Sequence, residues 1–121
     1  MATNIAFTPQ GNTVSLTADL AARSVQLTPA NFALGSVSVF PSNVRVVNAG
    51  TASVWASFTP ATATIVIPTA GTTTAGTPTQ AIILLPGVVE VFTLPTGSVL
   101  WVNSISLSAA QVFHLLLGEG Y

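Results

Sequence analysis

Apolar and polar residues alternate with a period of two along most of this chain. Val14, Leu16 and Ala18 fall on one side of such a run, with Ser15 and Thr17 on the other. The alternation returns in SVQLT through Val25 and Leu27, in SVSVF through Val37 and Val39, and in NVRVV through Val44 and Val46. Residues 62–67, TATIVI, are β-branched at almost every position. Over 88–94, Val88, Glu90, Phe92 and Leu94 share one face and Val89, Val91 and Thr93 the other. Val99, Trp101, Asn103, Ile105 and Leu107 continue the pattern. Successive side chains of a strand point to opposite faces, so these runs predict half-buried strands.

The last run differs. Ala110, Val112, His114 and Leu116 form one face, and Gln111, Phe113, Leu115 and Leu117 the other. Both faces are mostly apolar, as they are over 81–85. Such strands belong in the centre of a core or at a subunit contact.

Turn residues punctuate the runs. Pro9-Gln10-Gly11, Asn48-Ala49-Gly50, Pro86-Gly87 and Pro95-Thr96-Gly97 stand between them, where fixed or positive φ is needed. Residues 48–51 read as a hairpin loop, and Leu85-Pro86-Gly87-Val88 suits a type II turn. The one helical candidate, 18–23, is too short to stand alone. Residues 1–12 read as an N-terminal arm, and the Thr-rich stretch 69–80 as a long exposed loop. The expected fold is all-β: a single domain over 1–121, an antiparallel β-sandwich, jelly-roll or Ig-like, of about eight or nine short strands.

Composition changes this picture in one respect. Only Asp19, Arg23, Arg45, Glu90 and Glu119 carry a formal charge, there is no lysine, and 46–89 holds no charge at all. Lone domains keep roughly a quarter of their residues charged, which solvates the surface and keeps copies apart. Here the charged fraction is 4% and the net charge −1. The implication is an outer surface largely covered by other protein, as in a homo-oligomer. Mean hydropathy is +0.72, yet no stretch supplies the ~20 consecutive apolar residues of a spanning helix. The N-terminus has no basic start and no long apolar segment, so it does not read as a signal peptide. Two arginines are too few to neutralise several phosphates, which argues against nucleic acid as a partner.

Chemistry-bearing residues are scarce. One histidine, one aspartate and two glutamates, widely spaced, offer no acid–base pair and no metal-ligand cluster, and cysteine is absent. The reading is therefore non-enzymatic, with no catalytic residues, no cofactor and no metal. His114, between Phe113 and Leu115, reads as a packed or interface histidine. Trp101 shares the parity of Val99 and Ile105 and reads as core. Trp55, of opposite parity to Val54 and Ala56, reads as outward and a contact anchor. Arg45 and Glu90 each interrupt an apolar strand, either at solvated positions or paired across strands or subunits. An exposed pair would contribute only about 0–1 kcal/mol. The candidate contact residues are Trp55, Arg45, Glu90, His114 and, from the Thr-rich loop, Thr72, Thr73 and Thr74.

The order of these pieces resembles small tailed-bacteriophage virion proteins of the head-decoration (capsid-cementing) type. The resemblance runs over 44–121 and lies most in Val44-Arg45-Val46-Val47-Asn48, in Leu85-Pro86-Gly87 and in the terminal Gly118-Glu119-Gly120. It implies a structural protein on the outer surface of the virion, bound to the major capsid protein of an assembled shell and often trimeric. The alternative is a head- or tail-fibre module that recognises a host-surface glycan or protein, with Trp55, Phe58 or Tyr121 as a stacking platform. A free Ig-like domain is the third reading, and the lack of charge argues against it.

Overall fold

The computed structural model describes residues 7–35, 39–67 and 81–119. Among these are eight strands: β1 (Thr8–Ala18), β2 (Arg23–Leu27), β3 (Asn43–Asn48), β4 (Val54–Thr59), β5 (Ile82–Leu84), β6 (Val89–Thr93), β7 (Leu100–Ser106) and β8 (Gln111–Glu119). A single 3₁₀ turn (Pro29–Phe32) follows β2. The strands form two four-stranded antiparallel sheets, ordered β1-β8-β3-β6 and β2-β7-β4-β5.

This order decides between the two sandwich types. Of the consecutive strands, only β4 and β5 are neighbours in a sheet. Every other connection carries the chain from one layer to the other. Eight strands so arranged make a jelly roll, whereas an Ig-like sandwich pairs several consecutive strands directly.

The alternating rows close the core between the layers. Val44 and Val46 of β3 and Phe113, Leu115 and Leu117 of β8 face Val54 and Ala56 of β4, Leu84 of β5, and Leu100 and Val102 of β7. Each large side chain so buried contributes about 1.5–3 kcal/mol. Phe32 and Phe40 meet edge to face within the same cluster, ring centroids 6.1 Å apart. Inward and outward parity in β1, β3 and β8 follow the sequence pattern, and Glu90 and Phe92 of β6 share the parity of the buried Val46 and Val44.

Several expectations need correction. Residues 48–51 are not a hairpin loop, because β3 and β4 lie in different sheets. The fully buried Asn48 builds this crossing. Its Nδ2 donates to the carbonyls of Ala52 (3.0 Å) and Leu84 (2.8 Å), and its Oδ1 accepts from Gly50 N–H. TATIVI is not a strand. It has no strand partner, and Ala63 N–H instead donates to the Asn103 side chain. In SVSVF, Val39 and Phe40 are outside any strand, and 36–38 lie outside the described residues. The helical candidate 18–23 is a tight passage from β1 to β2, held by Asp19 Oδ1 accepting from Leu20 N–H at 2.7 Å.

Of the expected arm, residues 1–6 lie outside the described residues, while residues 8–12 belong to β1 and pair with β8 from Thr8↔Glu119. Pro9-Gln10-Gly11 is thus within a strand. Gly11, Asn12 and Thr13 stand opposite the single β8 residue Leu116, so the strand bulges there. Gly11 takes φ +75°, and a Cβ on it would collide with the Phe32 carbonyl, so the bulge needs glycine. Leu85-Pro86-Gly87-Val88 turns as expected: Gly87 has φ +77° and Val88 N–H reaches the Leu85 carbonyl at 3.1 Å.

Replacing Asn48 with alanine strands two carbonyls at the buried layer crossing. Asn48→Ala should lose about 2–4 kcal/mol of folding free energy, read from urea unfolding; a loss below about 1 kcal/mol would show that water satisfies the crossing instead.

Candidate interaction surface

Two outer sheet faces and the flanks of the sandwich are left once the core is closed. On the outer face of the first sheet, β1 presents Ser15 and Thr17, β8 presents Val112, His114 and Leu116, and β3 presents Arg45 and Val47. Arg45 sits opposite Leu116 and Val47 opposite His114. Thr13, raised by the β1 bulge, completes a shallow groove of about 250 Å³ with Arg45, Val47, His114 and Leu116. His114 is half-buried, and its Nδ1 lies 2.7 Å from Ser15 Oγ. Among the described residues no acid joins this pair, so it orients the imidazole and forms no triad.

The outer face of the second sheet is covered differently. Segment 61–67 crosses it without joining the sheet, and Ile65 within that segment is buried. Asn103, wholly buried on this face, holds the crossing in place. Its Oδ1 accepts from Ser24 Oγ (2.8 Å) and Ala63 N–H (3.1 Å), and its Nδ2 donates to Ser57 Oγ (3.2 Å) and Thr59 Oγ1 (2.8 Å). All four capacities of the amide are used, which a buried amide requires. Trp55 stands beside Ile105 and Ile83, half-buried, and its Nε1 is buried with no hydrogen-bond partner among the described residues.

Trp101 corrects the expectation of a core tryptophan. It lies half-buried on this outer face, opposite Gln26 and Thr59, because Leu100 and Val102 turn inward. Leu100-Trp101-Val102 is apolar at both parities, so alternation alone could not choose its side.

The sequence-derived contact residues thus scatter. Arg45 and His114 share one groove; Trp55 belongs to the opposite layer; Glu90 is exposed on edge strand β6. Thr72, Thr73 and Thr74 lie outside the described residues. Arg45 and Glu90 occupy adjacent rungs, opposite Val91 and Val46, so their side chains leave the sheet on different faces. Thr13, Val47 and Leu116 were missed as groove residues; Val47 and Leu116 carried the parity signal, while Thr13 depended on the bulge. Asn103 was noted for its parity and missed as a polar hub. The aromatic platform of the fibre reading also disperses: Phe58 stacks on Phe92 at 5.4 Å against the core, and Tyr121 lies outside the described residues.

The described residues hold no group of three metal-ligating side chains. No helix among them is long and apolar enough to cross a membrane. Comparison with protein-family models, with curated proteins and with solved structures gave no match.

Two carboxylates hold loops by hydrogen bonds. Leu20 N–H, and then Arg23, keep the Asp19 carboxyl below its ordinary value. The backbone N–H of Ser42, followed by its hydroxyl, does the same for Glu119, whose Oε1 lies 2.9 Å from Ser42 N. A depressed pKa stabilises the fold above the unfolded-state value, and that contribution is lost as pH falls through the folded one. Stability should therefore drop below about pH 4. In urea melts at pH 6 and pH 3, the difference should be smaller for Asp19→Asn and Glu119→Gln than for the natural chain. An undiminished difference in both variants would remove these two contacts as its source.

Proposed function

We propose that this chain is a non-enzymatic structural subunit of a virion, a head-decoration protein that binds the major capsid protein of an assembled phage shell and reinforces it. The observation that carries the reading is a jelly roll whose outer surface is almost without charge. Among the described residues Arg45 is the only formal charge on the exposed face of the first sheet, with His114 and aliphatic and hydroxyl side chains around it. Val112 on that face is 37% exposed, Val89 43%, and Ile82 and Leu85 on the flank 50% each. Surfaces of this kind are matched by protein rather than by water.

The mechanism is mechanical. A subunit that is itself oligomeric, with a trimer favoured, touches several shell subunits at once. It thereby gains avidity from effective concentration without strong individual contacts. Bridging neighbours adds interface that must break before the shell expands or bursts. Contacts made by aliphatic and hydroxyl groups, with so few charges, depend on shape and hydrogen bonding. In this reading the protein acts on the outer surface of the capsid.

Size exclusion with light scattering should return an oligomer, and the oligomer should sediment with undecorated shells of a major capsid protein from the same phage. Raising NaCl from about 0.1 to 1 M should leave most of it bound, since screening removes only charge-borne affinity. A stable monomer at every concentration, or failure to sediment with shells, would overturn this reading.

A further inference from the structure

Five charged side chains are all the ionic material in the sequence, and three are engaged within the fold. Asp19 and Arg23 pair at 3.1 Å, and Glu119 accepts from Ser42. Arg45 and Glu90 have no ion-pair or hydrogen-bond partner among the described residues, and both are exposed. They do not meet within one molecule, because they leave β3 and β6 on opposite faces of the sheet. One cation and one anion are left over, on different sides of the same sandwich.

Each lies in similar surroundings. Arg45 opens onto the groove formed with Thr13, Val47, His114 and Leu116. Glu90 lies on the flank where edge strands β5 and β6 are joined by the Leu85-Pro86-Gly87-Val88 turn, an edge that also carries exposed Ile82 and Leu85. The flank is aliphatic with one negative charge; the face is a shallow aliphatic groove with one positive charge.

We propose that Arg45 of one copy receives Glu90 of the next, so that the β5–β6 flank of each molecule docks on the first-sheet face of its neighbour. The inference rests on the assembly reading above and names the surface that assembly uses. The two patches differ, so the contact is heterologous. A heterologous contact repeated from copy to copy builds a closed ring when the rotation between copies closes. The ion pair, enclosed by aliphatic side chains, fixes register and rejects the reversed arrangement, while the apolar surround supplies area.

Charge exchange tests this. By size exclusion with light scattering, Arg45→Glu and Glu90→Arg should each raise the concentration for half-assembly by at least about tenfold, since each places like charges together. The double exchange should return to within about threefold of the natural chain, because it restores the pair. Circular dichroism checks that each variant is folded. Where one is not, cysteine pairing decides: the natural chain has no cysteine, so a mixture of Arg45→Cys and Glu90→Cys should form mixed disulfide dimers in excess over self-pairs. Unchanged assembly in both single variants, a double exchange as weak as the singles, or no excess of mixed dimers would overturn the pairing while the assembly reading stands. A natural chain that stays monomeric overturns the assembly reading, and this inference with it.

Discussion

The row of Phe113, Leu115 and Leu117 on β8 is the constraint on which the rest of the fold depends. These side chains are fully buried at the centre of the first sheet, and their strand is the one on which both β1 and β3 pair. The pairing Thr8↔Glu119 joins two ends of the described chain, and Val46↔Leu115 joins residues far apart in sequence. None of these contacts is local. The chain must therefore close long loops before its core rewards it, and such topologies fold slowly. The sheets hold because burying these aliphatic rows outweighs that entropy.

Three buried amides carry most of the polar bonding inside the fold. Asn48 ties the β3–β4 crossing, and Asn103 binds the 61–67 segment to the second sheet. Gln111 serves a third site, its Oε1 accepting from Thr51 and Ala52 N–H at 2.7 and 2.9 Å. Asn48 and Gln111 sit at strand ends, where the backbone leaves a sheet and loses its ladder partners, while Asn103, within β7, reaches the unpaired Ala63 N–H of the segment laid over it. A side chain with both donor and acceptor can satisfy those freed groups, whereas a charge there would have to be desolvated without a counterion. The interior thus shares the economy of charge seen on the surface. What separates the two outer faces is cover: the chain lays its own segment over the second sheet, while the first keeps an open groove around Arg45 and His114.

Much of this was legible in the residues. Alternation in Val14, Leu16 and Ala18 and in Val44 and Val46 assigned these strands and the faces they bury, and along β8 it separated two rows without choosing the buried one, because side-chain parity is a local property of an extended backbone. Gly87 announced its turn because only φ above zero closes it. TATIVI read as a strand because β-branched composition measures fitness for a sheet, and composition does not say whether an edge is free to receive it. Trp101 read as core because its neighbours were apolar on both sides. The groove could not be read at all, since Thr13 reaches it through a bulge and its other members come from two further strands.

By itself, then, the order of residues determined an all-β chain with little charge, short strands and tight glycine turns, all of which follow from local periodicity and side-chain type. Tertiary structure alone decided that consecutive strands alternate between layers, that Arg45 and Glu90 face apart, and that one sheet is covered while the other is open. Those outcomes depend on which distant strands become neighbours, and that is set by the packing of the whole core rather than by any segment's own preference.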